Sequence, residues 1–264
     1  MNICVCIKQV PDSNKVEVDP VNGTIKRDSA ESKMNPYDLY ALEAAFRLKE
    51  KNGGKVTVIA MGPPKAEEII REAYSMGADS GVLVTDRRFA GADVLATAKT
   101  LSQGIACTGE FDVIICGKQT TDGDTAQVGA EISEYMGIPC IAGVSEIIES
   151  GDSSLTVKMD MGDSFEIAKI SFPCLICVDK DIFQPRLPSY VAKKATKDKE
   201  IKIINLDNFS DKDESHYGLA GSPTQVRRIF PPENSVEREI WHGSTENLCN
   251  KLYSKLCELK FINE

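Results

Sequence analysis

Short apolar runs alternate with amphipathic segments from Asn2 to Met136, and this alternation constrains the fold more than any other feature of the chain. Asn2–Val10, Lys55–Met61, Gly81–Thr85 and Phe111–Cys116 are of strand length and rich in Val, Ile and Cys. Between them apolar residues recur every three or four positions, as on one face of a helix. Asn35-Pro36 opens the first such segment, with Leu39, Leu42, Ala45 and Phe46 on one face and Asn52-Gly53 as its stop. Pro64–Met76, Ala92–Ile105 (opened by Asp93) and Asp124–Met136 are the others. A helix between two strands carries the chain back to where it started, so successive strands run parallel and helices cover both faces. Val16–Lys26, with Asn22-Gly23 at its centre, predicts a hairpin between the first strand and the first helix.

Beyond Met136 the pattern changes. Cys140–Ile148, Ser154–Asp160, Phe165–Ser171 and Cys174–Val178 are strand-like with little helix between them, and extend the sheet with antiparallel pieces. Pro185–Tyr190 is a proline-punctuated loop, Val191–Lys199 a short basic helix and Glu200–Ile204 a further strand. Asn205–Ser215 is polar and reads as a linker, and Gly218–Pro232 has scattered apolar residues but no period. Thr245–Leu259 carries Leu248, Leu252, Leu256 and Leu259 on one stripe, which suits docking on its own sheet or on another subunit. The expected division is residues 1–205 as an α/β domain and 206–264 as linker and C-terminal arm.

The composition narrows the function. A chain of 264 residues with 42% hydrophobic and 27% charged residues folds and buries a sizeable core. Its net charge of −9 argues against general nucleic-acid binding, and no apolar run reaches membrane-spanning length. Met1–Cys6 enters strand-like sequence directly, without a leader pattern, so the expected location is cytoplasmic. Several of the nine cysteines sit inside apolar runs, as reduced buried thiols do. Cys174 and Cys177 have metal-ligand spacing, but on a strand they face opposite sides, so no metal site is expected. With only His216 and His242 available, a His-based catalytic centre has little to draw on.

The stretch from Cys116 to Gly129, CGKQTTDGDTAQVG, carries the chemistry. A strand runs into a polar, glycine-containing turn and re-enters as a helix with Val128, Ile132, Tyr135 and Met136 on one face. Free amides and the dipole at such a helix start favour a phosphate. Gly117 and Gly123 let a ligand approach the backbone, while Thr120, Thr121, Thr125 and Gln127 add donors. The stretch is neither a Walker A loop nor a G-x-G-x-x-G fingerprint, and an ordinary strand–helix connection capped by Asp122 or Asp124 accounts for the same residues.

Four features together resemble the beta subunit of electron-transfer flavoproteins: Val5–Pro11; Met34-Asn35-Pro36 with its helix; Met61-Gly62-Pro63 followed by Met76–Asp79; and Gly117-Lys118-Gln119 with Asp122 and Gln127-Val128-Gly129. The resemblance covers essentially the whole chain. Met159 and Ser164 depart from a family signature that Val157, Glu166 and Pro173 fit. The implied fold is a Rossmann-like, mostly parallel α/β sheet with helices on both faces and a C-terminal arm around an alpha subunit.

Carried onto this sequence, the family's nucleotide site falls on Cys6, Asn35, Met61, Cys116, Gly117, Gln119, Thr120, Asp122, Gly123, Asp124, Thr125, Ala126, Gln127 and Val128, with Asp93 and Thr97 assisting. AMP-binding members carry Asp where Gly123 stands and Asn where Ala126 stands. The small residues here resemble the electron-bifurcating members, which hold FAD. The resemblance then implies hydride exchange with NADH or NAD, and electrons divided between ferredoxin or a similar low-potential carrier and, through a flavin on the alpha subunit, a flavin-dependent dehydrogenase. Tyr190, with Lys193 and Lys194 beside it, is the implied docking anchor for that dehydrogenase. An AMP-binding, non-bifurcating beta subunit is the nearer alternative; an adenine-nucleotide sensor of the universal-stress kind is the more distant one.

Overall fold

Every residue from Ile3 to Ile7 of the first strand, β1 (Asn2–Ile7), is buried, so both its faces are covered. Ile3, Val5 and Ile7 pack into one core while Cys4 and Cys6 pack into a second on the other side, as the two-residue period of a strand requires. The computed structural model describes residues 1–12, 32–227 and 239–262; the hairpin expected at Val16–Lys26 lies outside the described residues.

After β1 come a short antiparallel pair, β2 (Gln9–Pro11) and β3 (Ser32–Met34), then α1 (Pro36–Asn52), β4 (Lys55–Met61), α2 (Glu67–Met76), β5 (Ser80–Val84), α3 (Val94–Ala106), β6 (Val113–Gly117) and α4 (Val128–Met136). There follow β7 (Cys140–Ser150), β8 (Ser154–Asp160), β9 (Phe165–Ser171), β10 (Cys174–Val178), α5 (Tyr190–Ala195), β11 (Lys202–Ile204) and α6 (Thr245–Glu258). Nine strands form one sheet in the order β11-β5-β4-β1-β6-β10-β7-β8-β9. All its pairings are parallel except those of β8 with β7 and β9. Here β10 returns from the antiparallel pair to insert between β6 and β7, burying all five of its residues.

Leu42 and Phe46 of α1 and Ile70 and Ala73 of α2 cover one face of the sheet. Ala98 and Ile105 of α3 and Ile132 of α4 cover the other. Cys174 falls in the first core and Cys177 in the second, so the two thiols do not converge.

One expectation is corrected. The helix expected from Asp124 begins at Val128, because Asp124 and Ala126 take φ of 54° and 56°, which an α-helix cannot contain. The boundary expected at 205/206 falls inside the first compact unit, which spans Met1–Arg228. Leu206, Phe209 and Tyr217 are buried in the second core. The Phe209 ring stacks on Phe89 with centroids 5.4 Å apart, and Tyr217 lies 5.7 Å and 5.6 Å from the two. Residues read as linker therefore anchor the chain through aromatic burial.

The second unit, Ile229–Glu264, contains α6. Ser244 caps this helix through the Asn247 amide. Leu252 and Leu259, on its apolar stripe, are half exposed, and none of its residues is buried.

Candidate functional site

The path of the chain through the sheet opens a crevice. From β1 it steps outward through β4 to β5, then crosses to the other side of β1 to form β6. At the adjoining carboxyl ends of β1 and β6, α1 departs toward one face and α4 toward the other. This strand-order reversal is where α/β sheets of this kind bind ligands. The expected turn lies there: Gly117–Thr120 are half-buried and residues 121–127 are exposed.

Asn35 holds the turn in place. It is fully buried; its Nδ2 donates to Asp38 Oδ1 and to the Gln119 carbonyl, both at 2.9 Å, and its Oδ1 accepts from the Thr121 amide at 3.2 Å. Its main-chain amide donates to the Lys8 carbonyl at 2.9 Å, so one residue ties the end of β1 to the turn after β6. Its polar side-chain atoms are all engaged by protein, which makes it a brace for the turn.

Asp38 lies beneath. Its Oδ2 accepts from the Lys8 amide at 2.7 Å. Burial pushes this carboxyl up to about 7, against the Asn35 and Lys8 donors that pull it down. Gly117 crosses directly over it: a Cβ on Gly117 would stand 2.6 Å from Asp38 Oδ1 and 2.7 Å from the Tyr37 carbonyl carbon. Packing, rather than ligand access, therefore demands glycine at 117.

Gly129 is also a packing glycine, because a Cβ there would overlap Cys177 Sγ. Gly123 differs from both. Its Cβ would meet only Thr120 Oγ1, at 3.4 Å, an ordinary contact, and its φ is not positive. Neither packing nor backbone requires it.

Above the brace, Lys8 Nζ pairs with both carboxylate oxygens of Asp122 at 2.8 Å. Burial works to raise Asp122, yet the Lys8 ammonium leaves it below the ordinary carboxylate range. Gln119 Nε2 donates to Asp124 Oδ1, and the Asp124 amide donates to the Thr120 carbonyl at 2.9 Å. Lys118 turns away to Asp179, 2.6 Å distant. The helix α4 then starts at Gln127 without a side-chain cap, leaving the first-turn amides of the helix without that partner.

Cys6, Cys116 and Cys177 are register neighbours on β1, β6 and β10, and pack with Cys140 of β7 on the α4 side of the sheet. Cys177 is pushed well above the usual thiol range by its Cys116 neighbour and by burial. Cys6 and Cys116 are thus wall residues of the crevice. Met61, half-buried, ends β4.

Asp93 caps α3 through the Ala96 amide at 3.1 Å. Its other oxygen accepts from the Thr224 amide and hydroxyl at 2.9 and 2.7 Å, and its own amide donates to Ser222 Oγ at 2.8 Å. Burial opposes ionisation, but these donors hold its carboxyl below the ordinary range. Asp93 thereby fastens the 217–224 segment to α3, with half-buried Thr97 one turn further on.

Tyr190, Lys193 and Lys194 lie elsewhere, on α5, whose N-cap Ser189 donates its amide to the Ser75 carbonyl at the end of α2. Tyr190 is 79% exposed, and Leu187, three residues earlier, 87%. Sequence reasoning passed over Leu187, Asp38 and Glu131. Glu131, in the first turn of α4, leaves Oε2 buried without a partner, and burial and the nearby Asp93 charge raise its carboxyl. Asp38 reads in sequence as an ordinary first-turn acid; its position two residues beyond Asn35-Pro36 was the available signal.

Two cavities lie away from this turn. One of about 570 Å³, lined by Lys55, Tyr74 and Lys199 among others, opens at the amino-terminal ends of the strands. One of about 410 Å³ sits over Leu95, Lys99 and Tyr135 of α3 and α4. Among the described residues no group of three or more His, Cys, Asp or Glu side chains could hold a metal ion, and no helix is long and apolar enough to cross a membrane.

The family model described as "Electron transfer flavoprotein domain" matches residues 22–208. The chain is 44% identical over 257 residues to the electron transfer flavoprotein subunit beta of Thermoanaerobacterium thermosaccharolyticum, covering 97% of this chain and 98% of that protein. It is 41% identical over 262 residues to the subunit of the same name from Clostridium acetobutylicum, covering 99% and 100%. To the caffeyl-CoA reductase-Etf complex subunit CarD of Acetobacterium woodii it is 40% identical over 264 residues, covering 99% and 100%.

Proposed function

The chain belongs to the electron transfer flavoprotein beta-subunit family, and from that premise we propose that it binds FAD at the β1/β6 crevice and works as the bifurcating half of a heterodimer with an alpha subunit. The observation that carries this is the uncapped start of α4, standing behind an exposed turn at the strand-order reversal. Free amides and the helix dipole there suit a diphosphate. Gly123, which protein packing does not require, is accounted for by close approach of that ligand.

The bound flavin would supply hydride exchange with NADH or NAD and one-electron release toward ferredoxin or a similar low-potential carrier on one side and, through the alpha-subunit flavin, a dehydrogenase on the other. The chain itself binds, orients and screens. Asn35 fixes the height of the turn above the sheet, Cys6 and Cys116 wall the crevice, and Thr120, Thr125 and Gln127 present donors. A relative that is named as part of a caffeyl-CoA reductase complex fits a dehydrogenase acting on a CoA thioester as partner. Tyr190 and Leu187 supply the exposed apolar anchor for it, rimmed by Lys193 and Lys194. The uncovered stripe of α6 docks on the alpha subunit, and the complex works in the cytoplasm.

Acid release of the bound nucleotide, with identification by mass, tests the reading. FAD in excess of that held by the alpha subunit is the expected result. AMP in its place makes the chain a non-bifurcating beta subunit, and ATP turnover without flavin makes it a nucleotide sensor.

A further inference from the structure

One cation at the crevice, Lys8, is paired with a carboxylate of the turn after β6. Lys8, the first residue beyond β1, holds Asp122 symmetrically, with Nζ 2.8 Å from Oδ1 and from Oδ2. The rest of Lys8 is fixed: its amide donates to buried Asp38 at 2.7 Å and its carbonyl accepts from Asn35 at 2.9 Å. Only its side chain is free to choose a partner.

The two cations that flank the crevice differ in how firmly they are held. Lys118 pairs at 2.6 Å with Asp179, whose side chain is only 15% exposed and sits at the end of β10. In the Lys8–Asp122 pair the side chains are 43% and 33% exposed. Ion pairs this open to solvent are weak, so little opposes an exchange. Asp122 belongs to the exposed run 121–127, tied to the core at its first residue by the Asn35–Thr121 contact. A diphosphate brings more negative charge and more acceptor oxygens than one carboxylate.

We infer that Lys8 is a phosphate-binding residue of this site, and that Asp122 occupies its ammonium until a nucleotide phosphate displaces it. The inference rests on the nucleotide reading of the crevice and names within it a residue that the sequence pattern did not assign. No covalent bond is made or broken; one anion replaces another on Lys8, and the Asp122 side chain turns out to solvent.

The test is calorimetric titration of the full chain, stripped of bound nucleotide, with adenosine, AMP and ADP. Lys8→Gln should weaken ADP binding about tenfold to a hundredfold, as loss of a hydrogen bond to a charged group does, and leave adenosine unchanged. Lys8→Arg should restore most of the loss. Asp122→Asn, which removes the competitor, should strengthen ADP binding several-fold. The inference is overturned if Lys8→Gln weakens adenosine as much as ADP, or if Asp122→Asn leaves ADP binding unchanged or weakens it, since the pair would then be a structural clip. Wild-type protein that binds none of the three removes the nucleotide reading itself, and the inference with it.

Discussion

Asn35 Nδ2 donates to the main-chain oxygen of Gln119 at 2.9 Å, across 84 residues of sequence. With the Thr121 amide bound to Asn35 Oδ1, this contact sets where the turn after β6 stands relative to β1. Asn35→Ala leaves Asp38 Oδ1, the Gln119 carbonyl and the Thr121 amide without that partner. An unsatisfied buried group costs about 1–3 kcal/mol. The expected outcome is a lower urea midpoint together with loss of bound nucleotide. Nucleotide retained at wild-type level would show that the turn holds its shape without the brace.

Three glycines around the turn separate packing from ligand access. Gly129→Ala drives a methyl group into Cys177 Sγ and Gly117→Ala drives one into Asp38 and Tyr37. Overpacking of this kind costs about 1–3 kcal/mol. Gly123→Ala meets only Thr120 Oγ1 at 3.4 Å, so its thermal midpoint should stay near wild type while its nucleotide content falls. Flavin or AMP retained undiminished in Gly123→Ala would remove the argument that this glycine faces a ligand.

The layered sheet was legible because local periods report it. The runs ending at Asp160, Ser171 and Val178 stop where β8, β9 and β10 stop, since each is bounded by turn chemistry. The place of β10 between β6 and β7 was not legible, because strand order is set by which edges remain unpaired when the chain returns. Phe209 and Tyr217 read as isolated aromatics in a polar stretch; what makes them core is Phe89, a partner far upstream. Within the site, the turn and Asn35 could be found from composition and resemblance. The burial of Asp38 could not, because Pro36-Tyr37-Asp38 is equally good sequence for a solvent-facing first turn.

Asp38 gives the fold a pH signature of unusual sign. Its folded value, raised by burial to about 7, lies above the ordinary 3.8 of the unfolded chain. Between these values the native state holds the proton and the unfolded state does not, so stability falls as pH rises through about 4 to 7. The contribution is of the order of a few kcal/mol at most. Asp86 works in the opposite direction: held near 2 chiefly by Arg88, it contributes stability above pH 3.8 that disappears as pH falls toward 2. The Asp38 part is isolated as a difference. Asp38→Asn, which mimics the protonated acid, should lose less stability than wild type between pH 5 and 8 in urea titrations. Parallel curves for the two proteins would mean that Asp38 is ionised throughout.

The docking anchor proposed on α5 and its preceding loop makes the last prediction. Leu187, Tyr190 and Val191 are 87%, 79% and 76% exposed on one short stretch, tethered at its base by the Ser189 amide to Ser75. Arg186, just before it, is clamped to Glu43 and Glu50 of α1. The stretch is therefore held firmly at its root while its apolar side chains face outward, an arrangement that keeps an anchor ready without ordering cost on binding. Leu187→Ala and Tyr190→Ala should each leave stability within about 0.5 kcal/mol of wild type and leave nucleotide content intact. Each should lower the rate of electron transfer to the dehydrogenase, and the double variant more than either alone. Arg186→Ala frees the root without touching the anchor, so it should slow the same transfer less; an equal or greater loss would place the contact surface at the root of the loop.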